Sequence, residues 1–266
     1  MLKRLITGVI LAAVVSAGVV LLPIPYLKVV LIIVVLVAAY ECAYMVMPRG
    51  HAIALLPGVL LSGGLAAMIL FGPRDFGMIA WGLPTAVMAT CGFFLLRRPP
   101  LESALPQIAG TLFTVLYVGL LLSFLGLIRE FQYGWQWLLT ILAATFAADT
   151  GAFFAGRFFG RTKLAPRVSP GKTVEGVLGG WLLATAAAFF LKYFIFPAMT
   201  TRDGLWVGAI AGFVGPVGDL AESLLKRSVG VKDSSNLLPG HGGILDRVDA
   251  LLFTAPAVYW YLIFIR

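Results

Sequence analysis

Residues 27–47 read L-K-V-V-L-I-I-V-V-L-V-A-A-Y-E-C-A-Y-M-V-M, and only Lys28 and Glu41 among them carry charge. The apolar residues follow one another without alternation. As a helix, a stretch of this length rises about 30 Å, the thickness of a bilayer's hydrocarbon core. A membrane β-strand would alternate polar and apolar positions instead. The stretch reads as a membrane-spanning helix, and the fold class follows from how often such stretches recur.

Nine are expected, at about 5–22, 27–47, 52–71, 76–96, 108–128, 135–155, 176–196, 205–222 and 248–265. The breaks have physical causes. Pro23 and Pro25, Pro48-Arg49-Gly50, Gly72-Pro73-Arg74-Asp75 and Arg97-Arg98-Pro99-Pro100 combine helix-stopping residues with residues that resist burial in hydrocarbon. Composition agrees: 60% of the 266 residues are hydrophobic and 12% are charged, with a mean hydropathy of +0.97. A soluble domain carries roughly 25% charged residues. The expected fold class is an all-α polytopic integral membrane protein of about nine transmembrane helices. Lys3 and Arg4 precede the first span as in a secretory signal, but the apolar run is too long for a signal core, so a retained helix is expected.

With the N-terminus in the cytosol, nine spans put fourteen lysines and arginines on the inside and six on the outside. That is the bias of the positive-inside rule. Segments 97–107, 156–175 and 226–246 then face the cytosol, and the C-terminus faces away. The net charge of +8 favours anionic membrane lipids as partners; no nucleic-acid partner is expected. Cys42 and Cys91 lie inside spans without metal-ligand spacing, as helix-packing residues do.

Polar residues are unevenly distributed. Residues 1–105 form a helical scaffold with little chemistry. Glu41, near the cytosolic end of the second span, is costly in lipid and a functional candidate by default. Helix–helix hydrogen bonding accounts for it equally well, and it receives no role here. His51 is a loop residue. Residues 106–266 form the catalytic region. In A-D-T-G-A-F-F-A-G-R-F-F-G-R-T-K-L-A-P-R-V-S-P-G-K-T-V-E-G (148–176), Asp149 lies in a span and is followed by small residues. Arg157, Arg161, Lys163, Arg167 and Lys172 then line a loop with Ser169 and Thr173, a set suited to phosphate. S-P-G-K-T lacks the spacing of a Walker loop.

A denser constellation occupies 218–249: G-D-L-A-E-S-L-L-K-R-S-V-G-V-K-D-S-S-N-L-L-P-G-H-G-G-I-L-D-R-V-D. Asp219, Glu222 and Ser223 share one helix face, and Asp246 and Asp249 fall in the first turn of the last span. Converging carboxylates are what hard divalent cations need, and Mg²⁺ usually takes one or two of them plus substrate phosphates. Lys226, Arg227, Lys232 and His241, with Gly230, Gly240, Gly242 and Gly243, offer cations and close backbone approach to phosphate oxygens.

The run 223–249 resembles the signature of the phosphatidate cytidylyltransferases, also called CDP-diglyceride synthases. Ser223, Lys226, Arg227, Lys232, Asp233, Pro239, His241, Gly242, Gly243, Asp246, Arg247 and Asp249 fit at matching spacing. The segments A-D-T-G-A-F-F-A-G-R and S-P-G-K-T-V-E-G are also similar to the family, although Gly171 and Val174 depart from its pattern. The resemblance covers about 148–266. It implies attack of the phosphatidate phosphate on the α-phosphorus of CTP, giving CDP-diacylglycerol and pyrophosphate. It further implies a divalent metal (Mg²⁺ or Mn²⁺), an all-helical membrane fold and a homodimer. The expected location is a bacterial inner membrane, with the site facing the cytosol as the charge asymmetry indicates.

Under this resemblance Asp219 and Asp246 bind metal, with Asp249 and Glu222 as further ligands or supports. Lys226, Arg227, Lys232, Arg247 and Lys172 hold phosphates; Ser223, His241, Gly242, Gly243 and Asp149 contact substrate. Two other classes compete: a CTP-dependent lipid-alcohol kinase, which would transfer the γ-phosphoryl group, and a nucleotide or lipid transporter, which would show paired inverted halves.

Overall fold

The computed structural model describes residues 2–47, 52–73, 77–237 and 242–266. Pro48, Arg49, Gly50, His51, Arg74, Asp75, Pro239, Gly240 and His241, all invoked above, lie outside the described residues.

The described chain is helical almost throughout. Its helices are α1 (Leu2–Leu21), α2 (Ile24–Val46), α3 (Ala52–Phe71), α4 (Gly77–Arg97), α5 (Leu101–Thr114), α6 (Leu121–Arg129), α7 (Gly134–Phe159), α8 (Val174–Phe194), α9 (Thr201–Ala209), α10 (Gly215–Ser228) and α11 (Leu245–Phe264). One π-helical stretch joins α5 to α6 and another joins α9 to α10, so each pair is a single run. Among the described residues, seven runs are long and apolar enough to cross a membrane: Ile24–Val46, Ile53–Phe71, Ile79–Arg97, Leu101–Arg129, Gly134–Phe159, Val174–Phe194 and Thr201–Ser228. The protein is an all-α polytopic membrane protein. α1 contributes a shorter apolar helix, Ile10–Leu21, and α11 carries three charged residues in its first five, Asp246, Arg247 and Asp249.

Two features differ from the sequence expectation. Helices outrun the apolar windows: α7 continues through Arg157 to Phe159, and α10 through Lys226 and Arg227 to Ser228. Polar side chains at a helix end leave the backbone ladder intact, so hydropathy marks the lipid boundary rather than the helix boundary. The segment read as a basic loop also contains a small antiparallel hairpin, β1 (Lys163–Ala165) and β2 (Ser169–Thr173), pairing Lys163 with Thr173 and Ala165 with Ser169. Glu175 pins its base by accepting the backbone N–H groups of Arg161 and Thr162 at 3.1 Å each. Thr173 then caps α8, its hydroxyl accepting the Gly176 N–H at 3.1 Å.

The chain divides into two compact units, one of residues 1–22, 128–232 and 248–266, the other of residues 23–127 and 233–247. In the second unit, Leu65, Ile69, Ala86 and Val115 form one core cluster, and Met47, Ala54 and Phe94 form another. The π-helical Gly119 lies against the backbone of Ser62; a Cβ there would come within 2.8 Å of the Ser62 Cα. In the first unit α7 and α8 approach equally closely. A Cβ on Gly151 would lie 2.5 Å from the Gly179 carbonyl oxygen, and one on Gly180 would lie 2.7 Å from that of Ala148. Small residues that let backbones touch are the usual means of helix association in lipid. Asp203, 1% exposed, closes the end of this unit. It completes a capping box with Thr200, accepts the Tyr261 hydroxyl at 2.6 Å and faces the Arg266 guanidinium at 3.4 Å.

Candidate active site

In the first unit the site is built on α10. Three helical residues after Gly215, Gly218 brings α10 against the first turns of α11, since a Cβ there would lie 2.5 Å from the Asp249 carbonyl oxygen. The next residue on α10 is Asp219. The Asp249 carboxylate is in electrostatic reach of Asp219, of Asp149 on α7 and of Lys226. Asp219 Oδ2 is 2.5 Å from Lys172 Nζ on β2, and its Oδ1 accepts the Ser223 hydroxyl at 3.3 Å. One turn on, Glu222 is fully buried, and its Oε2 lies 2.5 Å from Lys226 Nζ. A charge so placed is tolerated only with a partner of opposite sign. The expected shared face of Asp219, Glu222 and Ser223 is thus present, and each of its two acids faces a lysine.

Other residues of this unit named from the sequence stand in more open surroundings. Asp149, Arg227 and Lys232 are exposed. The Arg227 guanidinium reaches the Val231 carbonyl at 3.5 Å. Arg157, Arg161, Lys163 and Arg167 are exposed at the end of α7 and on the hairpin. These four cations occur alongside exposed Phe153, Phe154, Phe158 and Phe159.

The second unit holds Gly242, Gly243, Asp246 and Arg247. Asp246, 9% exposed, reaches back over the start of α11. Its Oδ2 accepts the backbone N–H groups of Ser234 at 2.9 Å and Gly243 at 2.8 Å, and the Ser234 hydroxyl at 2.8 Å. Gly242 has a φ of 75°, a conformation that favours glycine, and a Cβ there would meet the Asp246 carboxylate. Arg247 is exposed.

Three residues of this cluster were given no role from the sequence: Glu41, Ser234 and Ser235. Glu41 on α2, 3% exposed, accepts the hydroxyls of Ser235 at 2.6 Å and Ser234 at 3.0 Å, and the backbone N–H groups of Ile244 at 3.1 Å and Leu245 at 2.8 Å. The sequence signal was its carboxylate among apolar residues. Its partners, 193 to 204 positions away, were not legible.

Among the described residues no three His, Cys, Asp or Glu side chains converge closely enough to hold a metal ion by themselves. A hard divalent cation does not require three. One or two carboxylates with substrate phosphates suffice for Mg²⁺, and the neighbouring Asp219 and Asp249 supply that donor chemistry. Lys172 on Asp219 and Lys226 in reach of Asp249 offset some of the repulsion among these acids, and a divalent cation would offset more.

A family model described as the cytidylyltransferase family matches residues 2–265. The chain is 34% identical over 204 residues to the phosphatidate cytidylyltransferase of Staphylococcus saprophyticus, covering 76% of this chain and 77% of that protein. It is 37% identical over 184 residues to the phosphatidate cytidylyltransferase of Thermotoga maritima, covering 66% and 67%. With the phosphatidate cytidylyltransferase of Haemophilus influenzae the identity is 44% over 132 residues, 48% of this chain and 46% of that protein. The chain therefore spans under half the length of the Haemophilus relative and about three quarters of the Staphylococcus one.

Proposed function

The chain belongs to the cytidylyltransferase family, and we propose that it is a phosphatidate cytidylyltransferase. A phosphate oxygen of phosphatidate bonds to the α-phosphorus of CTP, and the bond from that phosphorus to the oxygen bridging to the β-phosphate breaks. CDP-diacylglycerol forms and pyrophosphate leaves with the bonding electron pair. The nucleophile is already an anion, so no side chain must deprotonate it.

The observation that carries this reading is the Lys172–Asp219 pair at 2.5 Å with Asp249 in electrostatic reach. Acids and cations placed side by side at helix ends are what a polyphosphate and its counter-ion need. Phosphoryl-type transfer is positioning plus charge stabilisation. In this reading Lys172 and Lys226 take phosphate oxygens as substrate arrives, and Arg227, Lys232 and Arg247 add exposed positive charge. Asp219 and Asp249 would hold a divalent cation, Mg²⁺ or Mn²⁺, which when bound would offset charge on the phosphates of CTP. Glu222 keeps Lys226 in place. Asp246, with three donors on one oxygen, builds the loop ahead of α11. Asp149 and Ser223 border the carboxylates, and His241 stays a substrate contact by resemblance only.

Family resemblance supports a homodimer, the fourteen-to-six charge asymmetry supports a cytosol-facing site, and the bacterial relatives support a bacterial inner membrane. The kinase and transporter alternatives draw no support from the family match. Purified protein given phosphatidate and CTP labelled in its α-phosphate should move the label into lipid and release pyrophosphate. A lipid kinase would move a γ-label instead, and a transporter would move neither.

A further inference from the structure

We propose that Glu41 is a positioning residue for the transfer reaction, tying Ser234 and Ser235 to Ile244 and Leu245 so that Asp246 and the start of α11 keep their pose. The proposal rests on the cytidylyltransferase reading above.

Glu41 sits on a helix whose other residues are almost all apolar, yet it is buried. Among the described residues the four groups hydrogen-bonded to it are on Ser234, Ser235, Ile244 and Leu245. Two are the backbone N–H groups where α11 starts, which have no partner within the helix and favour a negative charge. Each carboxylate oxygen takes one hydroxyl and one backbone N–H, so both pairs of residues are gripped by one rigid fork. The Ser234 hydroxyl also faces Asp246 Oδ2 at 2.8 Å. A hydroxyl has one proton to give; Ser234 thus links the two acids, and the position of one constrains the other. Gly243 belongs to the same clasp, because a Cβ there would collide with the Ser234 hydroxyl and the Glu41 carboxylate.

Anchoring α2 to its neighbours would need only apolar packing. A carboxylate on that helix with four donors on Ser234, Ser235, Ile244 and Leu245 is suited to fixing those residues. Among the described residues Glu41 accepts no hydrogen bond from the lysines, arginines or aspartates assigned to the phosphates and the cation, so it acts through Ser234 and the α11 terminus. Loss of the fork should misplace these residues without unfolding the helices.

The test compares full-length wild type, Glu41→Gln and Glu41→Asp, each purified and reconstituted in nanodiscs. Glu41→Gln keeps the side chain's shape but turns one acceptor into a donor facing donors. Three quantities are measured: hydrogen exchange of peptides covering 234–245, the thermal midpoint, and kcat and KM for both substrates. In Glu41→Gln, exchange of the segment should quicken about tenfold or more. kcat should fall about 10²-fold, the scale of a misplaced reacting group, while KM and the thermal midpoint change little. Glu41→Asp keeps the charge and should recover much of the lost kcat. An unchanged kcat overturns the proposal, as does a kcat loss in both variants that only follows the loss of folded protein. The two readings fail separately. A wild type that puts no α-label from CTP into lipid rejects the reaction, whereas unchanged exchange at 234–245 in Glu41→Gln rejects the clasp.

Discussion

Lys172 on the hairpin places its ammonium 2.5 Å from Asp219 Oδ2 on α10, joining the two parts of the sequence richest in polar residues. Both side chains are about a quarter exposed, 23% for Lys172 and 29% for Asp219. The Lys172 Nζ itself is buried, so the pair must part for the ammonium to meet a phosphate. Lys172→Ala and Asp219→Asn should each lower kcat/KM sharply, and the double variant should be no worse than the poorer single one. A coupling of about 0.5–3 kcal/mol in that cycle is expected for residues acting as a unit. Additive losses in steady-state kinetics would separate their roles.

Lys226 faces a carboxylate with no exposed surface. Lys226→Met removes the ammonium that offsets the buried Glu222 charge and should destabilise the protein by about 3–5 kcal/mol. Adding Glu222→Gln should restore a large part of the stability but not the activity. Thermal unfolding in detergent, paired with the product assay, checks both halves.

Asp246→Ala removes the acceptor used by two backbone N–H groups and a hydroxyl. It should cost about 1–3 kcal/mol, as leaving buried donors without an acceptor does, and should also abolish transfer. Asp246→Asn retains an acceptor oxygen, so its stability loss should be smaller. Equal unfolding midpoints for Ala and wild type would show that these hydrogen bonds add no stability.

Metal dependence is expected to trace to Asp219 and Asp249. EDTA should abolish transfer, and Mg²⁺ or Mn²⁺ should restore it. Asp249→Asn should raise the Mg²⁺ concentration needed for half-maximal rate, measured in metal titrations. An unchanged titration would take Asp249 out of the cation's surroundings.

Cysteines introduced at 172 and 266 should label from opposite faces of oriented vesicles, following the positive-inside bias. Labelling from one face would reject the expected orientation.

The sequence by itself determined that the protein is a bundle of membrane helices. Runs such as 27–47 leave lipid as the only solvent able to cover them, and their backbone must then be satisfied within each helix. The spacing of Asp219, Glu222 and Ser223 likewise placed them on one face, because helix geometry is local. Tertiary structure decided the partners. Lys172 meets Asp219, and Gly218 packs against the Asp249 backbone, through contacts between segments distant in the chain. Asp246, expected from the sequence to bind metal, has one oxygen that accepts the backbone N–H groups of Ser234 and Gly243, contacts that spacing along the chain does not reveal. Glu41 had no role in the sequence because its meaning lies in four donors from the far end of the chain. Burial and hydrogen bonding, not periodicity, distinguish a lipid-facing acid from a clasp, and those depend on which segments the folded chain brings against it.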